Sequence, residues 1–267
     1  MDHDLLELDG QVALVTGAGQ GAGRVTALEL ARHNCGGVVV NDFIAEKAQA
    51  VAEEIRAAGG KAMAAQFDVG DLPAIRAAAA AAEAEFGKPV TVLVNNAGMA
   101  GPSAQMRPST LFWEEDPAEW DKYLRTNLYG VFNCCHAIIP GMVAQKRGRI
   151  VTIVSDSGRT GEPRQAVYSA AKAGAAGFVR SIAKETGRFN ITCNAVALST
   201  IMPNMAPEQL EAFMQTEQSK AQLSRYIIRR YGTGNDVAAL VTFLCSEAAS
   251  WITGQTYPLN GGYSVAI

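Results

Sequence analysis

A tyrosine and a lysine stand four residues apart in the stretch AVYSAAKAG, residues 166–174. On a helix this spacing places Tyr168 and Lys172 on one face, about one turn apart. A cation within about 4–6 Å favours the ionised phenol and lowers its pKa by about 1–3 pH units. The pair is therefore a candidate acid–base centre. The spacing also fits a plain alternative, a solvated lysine beside a half-buried tyrosine.

A glycine-rich stretch, TGAGQGAG at 16–23, follows the first predicted strand and opens the first predicted helix. Glycines at such a junction let the backbone approach a pyrophosphate at the helix N-terminus. About 20 residues later, the second predicted strand ends in Asp42, where a carboxylate can bind an adenosine ribose. The two features together favour dinucleotide binding over a plain turn with an unrelated aspartate. The predicted cofactor-binding residues here are Gly17, Gln20, Gly21, Ala22, Asp42 and Phe43.

The charges around Asp42 favour NAD over NADP. The 2′-phosphate of NADP would face the Asp42 carboxylate, and neither Gln20 nor Phe43 supplies a cation to offset the repulsion. Arg24, one residue past the glycines, is the neighbour that could reach a phosphate. We expect NAD, with NADP as the less favoured cofactor.

Short apolar runs alternate with longer helical patterns along the chain, as in repeated βα units. The strands are too apolar to have a wet face, which predicts a parallel sheet with helices on both faces. We expect one doubly wound α/β domain of the Rossmann type over residues 1–267, with seven strands at 11–16, 37–42, 61–69, 90–98, 148–156, 190–197 and 255–259. Helices are predicted from 22, 44 and 71 and at 116–145, 166–187 and 235–247, and the region 199–231 is predicted to be irregular.

Composition argues against several classes of protein. The net charge is −3, without a dense basic cluster, so no nucleic-acid partner is expected. No apolar run approaches the length of a membrane span, and the acidic start is unlike a secretory signal, so we expect a cytoplasmic protein. The five cysteines lack C-x-x-C spacing and the three histidines stand apart, so reduced thiols and no metal are predicted.

The chain resembles the short-chain dehydrogenase/reductase family, classical type, over residues 11–263. The motifs that match, in chain order, are TGAGQGAG at 16–23, NNAG at 95–98, Ser155, Tyr168 and Lys172. The resemblance implies an NAD(P)-dependent oxidoreductase that interconverts a secondary alcohol and a ketone by hydride transfer. It also implies a homotetramer or homodimer, in which the long helix at 116–145 would pair with a second copy.

The resemblance assigns a role to each polar residue. Ser155 would orient the substrate oxygen, and Tyr168 would exchange the proton as hydride moves. Lys172 would also bind the nicotinamide ribose, and Asn127 would hold a water that passes protons to solvent. The plain alternatives are that Ser155 caps its strand and that Asn127 only bends its helix. Further implied cofactor contacts are Asp68 and Val69 near the adenine and Asn96, Ala97 and Gly98 near the adenosine ribose.

The chain departs from the family pattern after its sixth predicted strand. The family usually has Pro-Gly there and, four residues beyond the Gly, a threonine that bonds the nicotinamide carboxamide. This chain has Leu198, Ser199 and Pro203. Pro203 lacks both a hydroxyl and an N–H and cannot replace the threonine. Substitutes within a predicted substrate lid at about 199–231 are Ser199, Thr200 or the backbone of Ile201. Near the C-terminus, Asn260 stands where Asp is common.

The sequence leaves the substrate open. SDSGRTGEP at 155–163 resembles alicyclic hydroxyacyl-CoA dehydrogenases, and the whole chain resembles 3-oxoacyl-thioester reductases. Arg159 would then meet a phosphate or carboxylate, although a solvated or intersubunit arginine is the favoured interpretation. A free cyclic alcohol, diol or steroid fits the apolar lid as well. The loop 99–115 either walls a substrate pocket or packs its own aromatics, with Met106, Leu111, Phe112 and Trp113.

Two other classes of function remain open. A non-catalytic nucleotide-sensing module on the same fold has no need of Ser155, Tyr168 and Lys172 together. An epimerase or dehydratase that oxidises its substrate transiently would use all three residues.

Overall fold

Seven parallel strands form one sheet in the order β3-β2-β1-β4-β5-β6-β7. The computed structural model describes residues 5–99, 110–202 and 207–265. The strands are β1 Val12–Val15, β2 Gly37–Asp42, β3 Ala62–Gln66, β4 Val90–Asn95, β5 Gly148–Ser155, β6 Ile191–Leu198 and β7 Thr256–Leu259. The predicted doubly wound α/β fold is confirmed, and the strand order reverses between β1 and β4. The predicted third strand, 61–69, is too long, because β3 ends at Gln66.

Helices cover both faces of the sheet, as the apolar strands predicted. Along β1, Val12 and Leu14 face one core cluster, whereas Ala13 and Val15 face the other. The helices at 72–86, 130–145 and 166–186 pack on the first face, and those at 21–32, 45–57 and 234–245 pack on the second. The helices are α1 Gly21–Arg32, α2 Ala45–Ala57, α3 Leu72–Phe86, α4 Trp120–Leu124, α5 Gly130–Gln145, α6 Ser157–Thr160, α7 Ala166–Thr186, α8 Pro207–Gln215, α9 Glu217–Leu223 and α10 Gly234–Cys245.

The predicted helix at 116–145 is present but is not uniform. Asp116 accepts the Ala118 N–H and begins a 3₁₀ turn, Pro117–Glu119, which leads into α4. A π-helical turn, Arg125–Tyr129, then separates α4 from α5. Turns of this type occur often at functional sites, and Asn127 lies within this one.

The prediction of an irregular region at 199–231 is wrong in part. Helices α8 and α9 lie within it. The prolines suggested a break, but Pro207 stands at the first position of α8, where a missing N–H costs nothing. Pro203 lies outside the described residues.

The five cysteines are free thiols, and four of them are buried. Burial raises the pKa of Cys135 and Cys245 to about 12, which keeps these thiols protonated and unreactive. In the described parts of the chain, no helix is long and apolar enough to cross a membrane. The same residues hold no group of three or more His, Cys, Asp or Glu side chains that could bind a metal ion.

Candidate active site

A cleft of about 240 Å³ opens at the carboxyl ends of β4, β5 and β6. Open α/β sheets bind ligands at this edge, next to the point where the strand order reverses. Among the residues that line the cleft are all four predicted catalytic residues and four predicted cofactor contacts: Asn127, Ser155, Tyr168 and Lys172, with Asn96, Gly98, Ser199 and Ile201.

Three of the predicted catalytic side chains come from two neighbouring elements. Ser155 is the last residue of β5, and Tyr168 and Lys172 lie one turn apart on α7. The Ser155 hydroxyl lies near enough to the Tyr168 hydroxyl to affect its pKa, and its Oγ accepts the Ser157 N–H at 3.2 Å and the Ser157 hydroxyl at 2.9 Å. The Lys172 Nζ lies 6.0 Å from the centroid of the Tyr168 ring and donates to the Ile153 carbonyl at 3.0 Å. The Tyr168 phenol and the Ser155 hydroxyl therefore lie in the same part of the cleft, where both can contact one substrate oxygen. The Lys172 amine lies behind the tyrosine.

The predicted direction of the Tyr168 pKa shift is wrong for this structure. Burial raises the pKa of Tyr168, and the nearby Ser155 hydroxyl opposes the rise. Burial also lowers the pKa of Lys172 to about 8. Spacing alone predicted that the two side chains would be neighbours, but it could not show that both lie in a poorly solvated place, where each charged form is disfavoured.

Asn127 is fully buried in the π-helical turn and donates from Nδ2 to the Met99 carbonyl at 3.1 Å. Its Oδ1 is buried without a hydrogen-bond partner in the described structure. A Cβ placed on Gly98 would lie 3.0 Å from this Oδ1 and 3.3 Å from the Lys172 Nζ. The two polar atoms therefore converge beside Gly98, within hydrogen-bonding range of a single small polar molecule.

The glycine-rich stretch forms an open cradle above the N-terminus of α1. Gly17 and Gly21 have φ of +60° and +56°, which favours glycine. A Cβ on Gly17 would lie 2.8 Å from the Cα of Ala97, whereas a Cβ on Gly21 would meet nothing within 4 Å. Gln20 precedes the helix without a side-chain cap, and the first turn, which begins with Gly21 and Ala22, contains no acidic residue. This end of the helix fits a pyrophosphate.

Thr16, which the sequence analysis did not single out, joins this cradle to the end of β4. Its hydroxyl accepts the N–H groups of Asn96 and Ala97, each at 3.0 Å. The Asn96 Nδ2 donates in return to the carbonyls of Thr16 and Gly17, at 2.9 and 3.0 Å. The position of Thr16 at the start of TGAGQGAG was the feature of the sequence that could have identified it.

Asp42 lies at the end of β2, where its two carboxylate oxygens accept backbone N–H groups from Gly19 and Ile44, each at 3.0 Å. It therefore fixes the cradle and presents negative charge beside it. The side chain of the next residue, Phe43, is exposed.

The cations near the cradle differ from the prediction. The sequence analysis missed Lys47, whose Nζ donates to the Gln20 Oε1 at 2.7 Å. Arg24 instead binds Glu54 through its Nε at 2.9 Å and is directed toward α2. The cation near the proposed ribose position is therefore Lys47, not Arg24.

Asp68 and Val69 lie in the turn after β3. The Asp68 carboxylate accepts the Gly70 N–H at 2.8 Å and pairs with Arg125 at 3.1 Å. Val69 is buried, and its carbonyl accepts from Asn133 at 3.1 Å. These contacts connect the turn to the π-helical segment and to α5, at the same edge of the sheet as the cradle.

The Arg159 side chain is 21% exposed, and its guanidinium binds partners within the chain. It binds the Asp156 carboxylate at 2.5 Å and the Ser264 hydroxyl at 3.1 Å. The Asn260 Nδ2 donates to the same carboxylate at 2.9 Å. An aspartate at 260 would place two carboxylates in contact, where they would repel each other. The asparagine instead donates a hydrogen bond to the buried Asp156.

Where it is described, the loop before α4 packs one aromatic side chain on α4 and leaves another at the surface. Phe112 stacks on Trp120 with ring centroids 5.5 Å apart, and Trp113 is 76% exposed. Met106 lies outside the described residues. These contacts favour the surface-packing interpretation for the part of the loop nearest α4.

The known proteins similar to this chain belong to the class of enzyme that the residues of the cleft indicate. A sequence model of the family described as short chain dehydrogenase matches residues 11–212. A 3-oxoacyl-[acyl-carrier-protein] reductase of Staphylococcus aureus is 39% identical over 250 residues, which cover 94% of this chain and 96% of that protein. A reductase of the same name from Synechocystis sp. is 39% identical over 258 residues, 96% of this chain and 97% of that protein.

Solved structures show the same fold. A 7α-hydroxysteroid dehydrogenase complexed with NADH and 7-oxo glycochenodeoxycholic acid has a TM-score of 0.87 and 33% identity, over 98% of this chain and 97% of that one. A gluconate 5-dehydrogenase from Burkholderia cenocepacia, in complex with NADP and tartrate, has a TM-score of 0.86 and 30% identity, over 99% of each chain. This chain belongs to the short-chain dehydrogenase family. It is an oxidoreductase that acts on CH–OH groups with a nicotinamide cofactor.

Proposed function

We propose that this protein is an NAD-dependent dehydrogenase that interconverts a secondary alcohol and a ketone, with Asn127, Ser155, Tyr168 and Lys172 as its catalytic residues. One observation supports this most directly: the four side chains line a single cleft, at the same sheet edge as the glycine cradle. A nucleotide-sensing module would not require that convergence.

A bound nicotinamide supplies the hydride acceptor for oxidation and the hydride donor for reduction. In reduction, Tyr168, which burial keeps protonated, gives its proton to the substrate oxygen while Ser155 donates a hydrogen bond to the same oxygen, and oxidation runs this transfer in reverse. Lys172 stands behind Tyr168 and binds the nicotinamide ribose. The point beside Gly98 where the Asn127 Oδ1 and the Lys172 Nζ converge is the proposed position of a water that carries the proton onward.

The proposed cofactor contacts follow the same edge of the sheet. Asp42 and Phe43 would bind the adenosine ribose, and Asp68 and Val69 would contact the adenine. The cradle would hold the pyrophosphate, with Asn96, Ala97 and Gly98 contacting the cofactor nearer the reacting end. Ser199 and Ile201, which line the cleft, would contact the nicotinamide at the start of a substrate lid at 199–231.

The preference for NAD is supported by the Asp42 carboxylate, which two backbone N–H groups hold beside the cradle. Lys47 opposes this preference, because its ammonium lies at Gln20. We assign the larger effect to Asp42, since its carboxylate is buried whereas the Lys47–Gln20 contact is exposed to solvent, where charge is screened more strongly. Steady-state kcat/KM should be higher with NAD than with NADP. Equal or better turnover with NADP would show that the proposed preference is wrong.

A 3-oxoacyl or 3-hydroxyacyl thioester is the proposed substrate, with the names of the 39% identical relatives as support. Arg159 does not support a thioester substrate, because it binds Asp156 and Ser264. The second candidate is a free cyclic alcohol or steroid, which the 33% identical hydroxysteroid dehydrogenase favours.

One panel experiment tests the reaction and the substrate class. NADH is measured during oxidation of 3-hydroxyacyl-CoA esters, cyclic alcohols, diols and hydroxysteroids, and its consumption is measured with the corresponding ketones. Turnover of the thioesters alone supports the first candidate. Turnover confined to the free alcohols contradicts it. NAD binding without turnover favours a nucleotide-sensing module, and substrate conversion without net NADH favours an epimerase or dehydratase.

Assembly is proposed to be a homotetramer or homodimer. Tyr129 is 50% exposed and meets Phe132 at 6.0 Å, and Phe132 meets Phe178 of α7 at 4.6 Å between ring centroids. This aromatic group reaches the surface beside α5, where a second copy would cover it. Light scattering at micromolar concentration should give a multiple of the chain mass of 28.2 kDa, and a monomeric mass would contradict the proposal.

A further inference from the structure

Tyr226, between α9 and α10, anchors the backbone that follows β6. The tyrosine is 2% exposed. Its hydroxyl lies 2.5 Å from the Ser199 Oγ and accepts the Thr200 N–H at 3.2 Å. Ser199 lines the cleft beside Ser155 and Tyr168. One buried side chain from another part of the chain therefore holds two successive residues at the rim of the candidate site.

Other contacts reach this segment from the same region. The Gln222 Nε2 donates to the Thr200 Oγ1 at 2.7 Å. The Gly232 N–H donates to the Thr200 carbonyl at 3.2 Å, and the Met202 N–H donates to the Gly232 carbonyl at 2.9 Å. The short strip 199–202 is thus held by hydrogen bonds from Tyr226, Gln222 and Gly232.

The strip also has room to move on one side. A cavity of about 140 Å³, lined by Ser199, Thr200 and Tyr226 together with Arg230 and Asp236, lies next to it. A backbone that borders a cavity of this size has few packing contacts on that side. The Tyr226 hydroxyl, together with Gln222 and Gly232, opposes a shift of the strip into this cavity.

The order of the strands shows which half of a dinucleotide the strip would meet. Asp42 ends β2 and the cradle follows β1, whereas Ser155 ends β5 and the strip follows β6. A dinucleotide that places its adenosine at Asp42 and its pyrophosphate on the cradle has its nicotinamide beside β5 and β6.

We infer that Tyr226 is a positioning residue, which holds the strip 199–202 in place against the nicotinamide half of the cofactor. The inference rests on the proposed function, because it requires a nicotinamide in this cleft. The phenol ring fills the core, while the hydroxyl supplies the specific contact. Removing the hydroxyl leaves the Thr200 N–H and the Ser199 hydroxyl without this partner.

The test compares two ligands in binding rather than in turnover. Isothermal titration measures the affinity of Tyr226→Phe for NAD and for ADP-ribose, which lacks the nicotinamide. We expect the NAD affinity to fall about 3–10-fold, the range for one or two lost hydrogen bonds, and the ADP-ribose affinity to stay within about twofold. Unchanged NAD affinity, or an equal loss for both ligands, would overturn the inference.

Tyr231→Phe is the matched control. Tyr231 is as buried as Tyr226, at 3% exposure, and its hydroxyl bonds Ser219 and Gln222 rather than the strip itself. Both affinities should stay within about twofold of those of the unmodified protein. A selective loss of NAD affinity in this control as large as in Tyr226→Phe would also overturn the inference.

Ser199→Ala provides a second variant that leaves the buried ring untouched. Because Ser199 and Tyr226 share one hydrogen bond, the double variant Ser199→Ala/Tyr226→Phe should lose less NAD affinity than the sum of the two single losses. Additive losses would contradict a shared contact. An unmodified protein that binds neither NAD nor ADP-ribose would contradict the proposed function itself, which separates the two failures.

Discussion

The two ends of the proposed cofactor cleft differ in whether their polar groups have hydrogen-bond partners within the chain. At the adenosine end, both carboxylate oxygens of Asp42 accept backbone N–H groups, and the Thr16 hydroxyl accepts two more. At the reacting end, the Asn127 Oδ1 is buried without a partner in the described structure. There, burial also raises the pKa of Tyr168 and lowers that of Lys172 to about 8.

The contrast separates a scaffold from a reactive centre. The adenosine end has its hydrogen bonds within the chain and is formed before any ligand arrives. The reacting end holds polar atoms that the fold alone leaves poorly solvated, which costs stability. Such groups are expected where a ligand completes the contacts and where proton transfer needs a pKa away from its ordinary value.

The largest effect is expected at the reacting end, from Tyr168→Phe. The phenylalanine keeps the ring and the helix and removes only the ionisable oxygen, so kcat should fall by about 10²–10⁴-fold while NAD affinity stays near normal. Single-turnover kinetics on an established substrate, with titration of NAD as the control, measure both. Retention of most of the activity would show that the tyrosine is structural.

Lys172→Met should remove activity but raise the free energy of unfolding. The expected gain is about 1–3 kcal/mol, because the variant no longer buries a charge. The folded-state pKa of Lys172, about 8, lies below its ordinary value of 10.5. The cost of the buried charge is therefore fully present below pH 8 and is relieved as the pH rises from 8 toward 10.5. Urea unfolding of both proteins at several pH values measures the difference. A gain that grows above pH 8 would contradict this account.

At the adenosine end, Asp42→Asn should narrow the difference between NAD and NADP by about tenfold, since one unit of charge is removed near the 2′-phosphate. Asp42→Ala also removes the acceptors for Gly19 and Ile44 and should lose additional stability. If the ratio of kcat/KM values changes in neither variant, the charge at this end does not select the cofactor.

The smallest effect is expected from Asn260→Asp, which places a second carboxylate against Asp156. Repulsion in place of the Asn260 hydrogen bond should destabilise the fold by about 1 kcal/mol at pH 7. The difference from the unmodified protein should shrink in acid, because protonation of one carboxyl removes the repulsion. Thermal unfolding at pH 7 and pH 5 tests this, with Asn260→Ser as an uncharged control.

The fold was predictable because strands buried on both faces have a continuous apolar pattern, as in β2 and β5. The catalytic candidates were predictable because their order and spacing are local. The sequence did not reveal long-range contacts such as Thr16 with Asn96 or Tyr226 with Ser199, because no spacing rule relates residues that meet only in the folded chain. The pKa direction of Tyr168 was missed for the same reason, since burial depends on everything packed around it.

The number of residues in the π-helical turn Arg125–Tyr129 sets how α5 is rotated relative to Asn127. A π turn closes its hydrogen bonds over five residues rather than four, so it takes up one residue more than an ordinary turn. Each residue in an α-helix advances the rotation by about 100°. Deleting one residue here would leave a regular helix whose two halves differ in rotation by that angle. Either Asn127 would leave the cleft or the buried face of α5, with Val131 and Ile138, would leave the sheet.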